Sequence, residues 1–357
     1  MTASRVTIGD VARHAEVSTS AVSKVLRNAY GVSPAMRTRV LAAIKELGYR
    51  PHGAARALRG HTSTLGVLLP DLRNPFFPDL IDGIAEELGD TCYQVVISQA
   101  GRDPAGESRA VHALIDQSVG GVVLVAPLSP PADLEVIAKA VPVVVLGRDD
   151  RSPHYDAVFG DEEVGAGLVV EHLAGLGHRR IAHLADAAWH GSGRGEPATP
   201  PDPRAHAYER AMARLGLGAY ADIVRTSYTE EGGRAGVGEL LRRPEPPTAV
   251  FAGADLVAIG ALGALREAGL DVPGDVSVAG YDNSWLAGLA HISLTSVDQP
   301  GLTMGRTAAR LLLERIGGRT ASARISITPT LVTRRTTAAA PPPGHNPDAA
   351  NFNVTEI

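Results

Sequence analysis

The sequence predicts two folds in one chain: an all-α N-terminal module of about 50 residues, then an α/β body whose parallel sheets form two doubly wound lobes. Three observations carry this. Residues 1–60 hold ten Lys/Arg against Asp10, Glu16 and Glu46, a formal +7 that leaves −12 for the rest of a chain whose net charge is −5. The apolar residues of the first 50 positions recur at helical spacing between capping signals, and beyond residue 60 short apolar runs alternate with helix-length amphipathic segments. A basic module on an acidic body suits a polyanion that the body itself would repel. The 357 residues are 44% apolar and 20% charged, ordinary packed-protein usage. No apolar stretch is long enough for a membrane span, and Arg5 and Asp10 stand where a signal peptide would be apolar, so a cytoplasmic protein without membrane partners is expected. Cys92, the only cysteine, excludes an intrachain disulfide and a cysteine zinc site, and is expected to be buried filler.

In the N-terminal module, Ile8, Val11, Ala12 and Ala15 form one face of a short helix opened by Thr7. Ser18 caps a second helix that turns Val22, Val25 and Leu26 inward and leaves a short, polar, basic face of Thr19, Ser20, Ser23, Lys24 and Arg27. After a turn at Gly31, Ser33 and Pro34 open a third helix with a buried stripe of Val40, Leu41, Ile44 and Leu47, ended by Gly48. Two short helices joined by a tight turn and backed by a third make a helix-turn-helix, whose second helix enters the DNA major groove. A plain three-helix bundle is the alternative. Residues 51–60 start with proline and contain Ala54, Ala55 and Ala57, but are too few for a stable isolated helix.

In the body, runs at 65–69, 95–97, 122–125 and 143–146 predict the strands of a first parallel sheet. Those at 181–184, 249–252 and 276–279, with 223–225 weaker, predict a second. Ligands of such sheets bind beyond the carboxyl ends of the strands, so a cleft between facing lobes is the expected site. Asp71, Asn74, Phe76 and Phe77 follow the first strand, Asp282 and Asn283 a late one; acceptors beside aromatic faces suit a polyhydroxylated or planar ligand. The Pro-rich, aperiodic residues 338–357 read as a disordered tail.

TIGDVARHAEVSTSAVSKVLRNAYGVSPAMRTRVLAAIKELGYRP resembles the DNA-binding headpiece of the lactose-repressor/galactose-repressor (LacI/GalR) family. The likeness continues through HGAARALRG, PDLRNPFF, EHLAGLGHRRIAHL, DVPGDVSVAGYDN and LTSVDQP to about Thr336. It implies a headpiece at 1–50, a hinge helix at 51–60 and a periplasmic-binding-protein-like sensor at 61–337. The sensor's lobes would be about 61–160 plus 291–323, and 161–290 plus 324–337, the chain crossing near residues 160, 290 and 325. The protein would be a homodimeric regulator of transcription, most often a repressor and alternatively an activator, whose affinity for double-stranded operator DNA is set by a small-molecule effector, such as a sugar derivative, in the cleft. Thr7, Ser18, Thr19, Ser20, Ser23, Lys24 and Arg27 would face DNA. His52, Ala55, Arg56, Leu58 and Arg59 would serve the hinge, with Leu58 a minor-groove wedge that kinks the duplex. His52 departs from the usual asparagine. Asp282 matches a carboxylate that accepts ligand hydroxyl bonds, and Asp255 an aspartate read as a helix N-cap.

Three further departures bear on the effector. Gly147 and Ala254 stand where sugar-responsive members carry hydrogen-bonding side chains, and Asp202 falls where an arginine often grips the ligand, so Arg194 or Arg204 would substitute. Free hexoses are therefore expected to bind weakly, and an anionic group would be met by Arg148 with Arg194 or Arg204. Effector contacts are expected from Asp71, Asn74, Phe76, Phe77, Arg148, Arg204, Tyr228 and Asp282. Enzymatic readings lack support: there is no nucleotide-type GxGxxG after a first strand, no P-loop lysine, GxSxG or HExxH. His172, His178 and His183 lack metal-ligand spacing and read as surface or cap residues, so no cofactor or metal is expected. A solute-binding protein would need a signal sequence and no basic headpiece, and a hydrolase a clustered base or metal.

Overall fold

The computed structural model describes residues 6–26, 30–49, 62–101, 103–189 and 202–342, and the chain divides into two units, Met1–Thr62 and Ser63–Ile357. The first holds α1 (Ile8–His14), α2 (Thr19–Leu26) and α3 (Pro34–Leu47). Thr7 and Asp10 form a reciprocal capping box at the start of α1, the Asp10 N–H donating to Thr7 Oγ1 at 3.3 Å and the Thr7 N–H to Asp10 Oδ2 at 2.8 Å. Ser18 Oγ accepts from the Ala21 N–H at 3.2 Å, Ser33 Oγ from the Met36 N–H at 3.3 Å, and Gly48 closes α3 in the left-handed conformation. Val11, Ala12, Ala15, Val22, Val25, Val40, Ala43 and Tyr49 make the core. The expected stripe of α3 is corrected at one position: Leu41 is 51% exposed and Ala43 is buried instead. The period of 3.6 runs through Met36, Val40, Ala43, Ile44 and Leu47, and Leu41 falls about 100° to one side of Val40.

The second unit contains two six-stranded sheets. The first comprises β1 (Thr64–Leu69), β2 (Gln94–Gln99), β3 (Val122–Val125), β4 (Val143–Leu146), β5 (Asp156–Gly160) and β11 (Arg324–Ile327) in the order β11-β5-β4-β3-β1-β2, all parallel. One face packs on α4 (Phe76–Leu88) and α11 (Gly301–Ile316), the other on α5 (Pro104–Asp116) and α6 (Pro131–Ala140). The second comprises β6 (Ile181–Asp186), β7 (Asp222–Thr226), β8 (Ala249–Ala252), β9 (Ser277–Asp282), β10 (Thr295–Asp298) and β12 (Thr330–Val332) in the order β12-β10-β9-β8-β6-β7, parallel except for β12. Its faces are covered by α9 (Glu230–Leu240) with α10 (Asp255–Glu267), and by α7 (Glu162–Gly175) with α8 (Pro203–Arg214). In each lobe one helix pair meets through glycines. A Cβ on Gly83 of α4 would overlap the Leu302 carbonyl and one on Gly305 of α11 the Leu80 carbonyl. Gly233 of α9 and Gly260 of α10 stand likewise against Val257 and Glu230.

Several expectations are corrected. Residues 295–298 belong to the second sheet and 324–327 to the first, so the chain crosses between lobes after Gly160, at Gln299–Pro300 and at residues 328–329. These crossings lie side by side: the Asp161 N–H donates to the Ile327 carbonyl at 3.1 Å, and Asp298 pairs with Thr330. Residues 338–342 are held, not loose, because the Ala340 N–H donates to the Leu176 carbonyl and Ala338 pairs with Ser277 and His178; residues 343–357 lie outside the described residues. His178 and His183 are buried, not superficial. His178 joins Thr248, Ser277 and Ala338, while His183 Nδ1–H donates to the Phe251 carbonyl and the ring stacks on that of Phe251 with centroids 4.4 Å apart. Burial pushes the His183 pKa down to about 4. His172 pairs with Thr337 at 2.9 Å. Cys92 is exposed, on the turn before β2, not buried filler. No helix among the described residues is long and apolar enough to cross a membrane.

Candidate functional site

In the N-terminal unit, Val22 and Val25 anchor α2 from beneath and leave Thr19, Ser20 and Lys24 exposed, with Ser23 half-buried. Ser18 and Ser20 hydroxyls share a hydrogen bond of 2.8 Å at the entrance to this helix. Thr7 is engaged in its capping box, its hydroxyl donating to Asp10 Oδ2 at 2.7 Å, a bond that also holds the Asp10 carboxyl below its ordinary pKa. Arg27, His52, Ala55, Arg56, Leu58 and Arg59 lie outside the described residues.

In the second unit a cavity of about 130 Å³ opens between the lobes at the carboxyl ends of the strands. Pro70 follows β1, Ala126 follows β3, Gly147 follows β4, and Asp186 and Asp282 end β6 and β9. Asp282, Ala126 and Gly147 all have positive φ, +105°, +45° and +84°, where the chain turns off its strand; for Asp282 this backbone is strained and is maintained by its surroundings. Asp282 Oδ1 accepts from Gln299 Nε2 at 2.8 Å, and Asn74 Nδ2 approaches Oδ2 from the opposite lobe at 3.5 Å. Burial raises the Asp282 pKa well above the carboxylate range, the neighbouring Asp255 pushes the same way, and Arg204 and the two amides only partly oppose them.

Asn74, Phe76, Phe77, Arg204, Tyr228 and Asp282 line this cavity together. Asn74 Oδ1 also accepts from the Phe76 N–H at 2.9 Å, fixing the entry into α4. Two expected contacts do not reach the cavity wall. Asp71 accepts from the Arg73 and Asn74 N–H groups and shapes the turn that presents Asn74. Arg148 is buried with its guanidinium committed to Asp150 and to the Pro127 and Ser129 carbonyls, so it is not a partner for an anion. Arg204 does line the cavity, but its Nε and Nη2 bond Glu162, each at 2.8 Å, its Nη1 bonds the Gly253 carbonyl, and its plane lies 3.6 Å over Tyr281. Although burial works against its charge, Glu162 holds the Arg204 pKa above the ordinary value.

Asp202 caps α8, accepting from the Arg204 and Ala205 N–H groups, and Arg194 lies outside the described residues. Asp255 is not the N-cap of α10; Ala254 is. Asp255 occupies the first turn, fully buried, and accepts from the Ser284 N–H, Ser284 Oγ and Ser296 Oγ. Glu107, Glu162 and Asp186 also line the cavity and had no distinguishing local pattern, whereas Gln299, which lines it too, could have been found from its place in LTSVDQP. Among the described residues no cluster of His, Cys, Asp and Glu could hold a metal ion.

Two family models match: bacterial regulatory proteins, lacI family, over residues 7–52, and the periplasmic binding protein-like domain over 170–337. Catabolite control protein A of Priestia megaterium is 33% identical over 90% of this chain and 95% of its own length. The ribose operon repressor of Escherichia coli K12 is 33% identical over 92% and 98%. Among solved structures, the lac repressor dimer bound to operator and the anti-inducer ONPF aligns over 94% of this chain and 100% of its own, with 29% identity and a TM-score of 0.77. A complex of the transcriptional regulator CelR with cellobiose aligns over 93% and 100%, with 32% identity and a TM-score of 0.66. A capped three-helix unit with an exposed polar second helix, ahead of two sheet-built lobes around a cavity with both polar and apolar lining, thus has full-length counterparts, and the chain belongs to the lacI family of bacterial regulatory proteins.

Proposed function

We propose that this protein is a sequence-specific, DNA-binding transcriptional regulator that works as a homodimer, most often in such a family as a repressor, and that a small molecule bound between its lobes sets its operator affinity. The observation that carries the reading is α2, whose buried Val22 and Val25 leave a face of Thr19, Ser20 and Lys24 exposed on a single helix, an element that a major groove admits. Ser18 and Ser23 flank that face, Thr7 lies at the start of α1, Arg27 joins them as a DNA contact, and His52, Ala55, Arg56, Leu58 and Arg59 serve the hinge. In the cleft, Asn74 and Asp282 meet the ligand's polar edge and Phe76, Phe77 and Tyr228 its faces, with Arg204 positioned by Glu162. Relatives crystallised with cellobiose and with ribose make a polyhydroxylated ligand the first class to screen. With Gly147 and Ala254 lacking hydrogen-bonding side chains, plain hexoses are expected to bind weakly. Selection of bound duplexes from a random pool tests the central claim: a near-palindromic pair of half-sites is expected, and recovery of no preferred sequence would overturn it.

A further inference from the structure

The cavity has two chemically different walls. The first lobe contributes Pro70, Phe76, Phe77, Val125, Leu128 and Met304. Its one lining carboxylate, Glu107, is committed to the Leu128 and Ser129 N–H groups at 2.7 and 2.9 Å. The second lobe contributes Glu162, Asp202 and Asp282, with Arg204 the one basic side chain among the described lining residues. That guanidinium is matched in charge by Glu162 and covered on one face by Tyr281. We infer that this cleft takes a ligand with a protonated amine on one edge and an apolar face on the other, an amino-substituted glycoside in preference to an acidic or phosphorylated one. The inference rests on the cleft being the effector site.

An anion would need donors, and those of Arg204, the one basic side chain among the described lining residues, are taken. The helix N-termini that reach it are answered from within the chain: Asp103 accepts from the Gly106 N–H of α5 at 2.7 Å, Asp161 from the Val164 N–H of α7 at 3.1 Å, and Asp202 from the Ala205 N–H of α8 at 3.2 Å. The Phe76 N–H of α4 is answered by Asn74. Carboxyl groups, by contrast, outnumber basic ones on this wall, Glu162, Asp186, Asp202 and Asp282 against Arg204 and the Arg225 that stands beside Asp202. Asp282 meets two amides, one of them at 3.5 Å, and Asp202 Oδ2, on a side chain 95% buried at the cavity wall, accepts no hydrogen bond among the described residues but is ion-paired with Arg225 Nη1 at 3.5 Å. An ammonium group brings three donors and no acceptor, its positive charge is opposite to the net formal charge of these carboxyl groups, and beside it Asp282 gives up the proton that burial holds on it in the unliganded protein. The apolar wall opposite covers the less polar face of the same ligand, where a sugar ring or an aromatic aglycone packs on Phe76 and Phe77.

The test compares three probes that differ in one group: phenyl glucoside, its 2-amino-2-deoxy counterpart and its uronic acid, titrated calorimetrically into the full-length protein near pH 7. The amine is expected to bind about 10-fold tighter than the neutral glucoside, and the acid about 10-fold weaker. In Asp282→Asn, and separately in Asp202→Asn, which retains an N-capping side chain, the preference for the amine is expected to shrink while the neutral probe changes less. Equal or tighter binding of the acid overturns the inference, as does an amine preference that survives both substitutions. Binding of none of the three overturns the ligand class; operator selection, measured on the same protein, then still decides the proposed function separately.

Discussion

Asp282 is a carboxylate held where burial opposes its charge, on a strained backbone, by two amides from different parts of the chain. Its pKa is raised in the fold, so the folded state holds its proton more tightly than the unfolded state does. Stability from this group is therefore fullest below the ordinary carboxylate range and falls as pH rises through the raised value. Asp282→Asn is expected to stabilise the unliganded protein by about 1–3 kcal/mol at neutral pH and above, and by less near pH 5, while losing the ligand response. Thermal melts across that range check it, and a variant less stable than the parent at pH 8 would contradict it. At the other end of the chain, Lys24 is exposed on α2 and free of a core role. If it reads bases, Lys24→Ala should weaken the selected operator by about 1–3 kcal/mol per half-site and leave random DNA nearly unchanged; equal loss on both would make it a phosphate contact.

Among the elements, the glycine-mediated helix pairs make the sharpest prediction. Gly305→Ala should force α11 off α4 and cost about 1–3 kcal/mol in urea unfolding, because the new methyl meets backbone that cannot yield. Gly175→Ala, on the exposed end of α7 with open space around it, should be neutral or stabilise by about 0.5–1 kcal/mol. For the hinge, Leu58→Ala is expected to lower the ratio of operator to random-DNA affinity at fixed salt; an unchanged ratio removes minor-groove insertion from recognition. The elements also differ in how far the sequence reveals them. β3, β4 and β8 are buried on both faces and are legible as apolar runs to the residue, and Ser33-Pro34 with Gly48 brackets α3. β10, β11 and β12 are short and partly polar, TSVD, RISI and TLV, so their sheet membership comes from pairing partners far away in sequence, which is why two lobe crossings fall elsewhere than expected. In the cleft, Asp282 and Phe76 stand beside recognisable strand ends. Arg148 misleads because a charge in sequence does not reveal that Asp150 and two carbonyls already occupy it.

For the whole molecule, a basic N-terminal unit on an acidic body ties operator binding to counterion release. Affinity should fall with salt at a log–log slope of about −0.9 per phosphate contacted, and a flat dependence would sink the DNA-binding reading. Effector and operator must then couple reciprocally: a ligand that changes operator affinity by about 5- to 150-fold has its own affinity changed by the same factor when operator is bound, which paired titrations measure. The side-by-side crossings after Gly160, at Gln299–Pro300 and at residues 328–329 give that coupling its mechanics. Three short links side by side would hinder sliding and twisting between the lobes and favour rotation about the row, an axis at the β12 edge of the second sheet. Gln299 follows β10 beside this axis, whereas β7 forms the opposite edge, four strand spacings or about 19 Å away. A turn of about 10° that barely disturbs the Gln299–Asp282 bond moves the β7 edge by about 3 Å, so a ligand held toward that edge has the longer arm of the lever, and one confined to Asp282 pushes nearer the pivot.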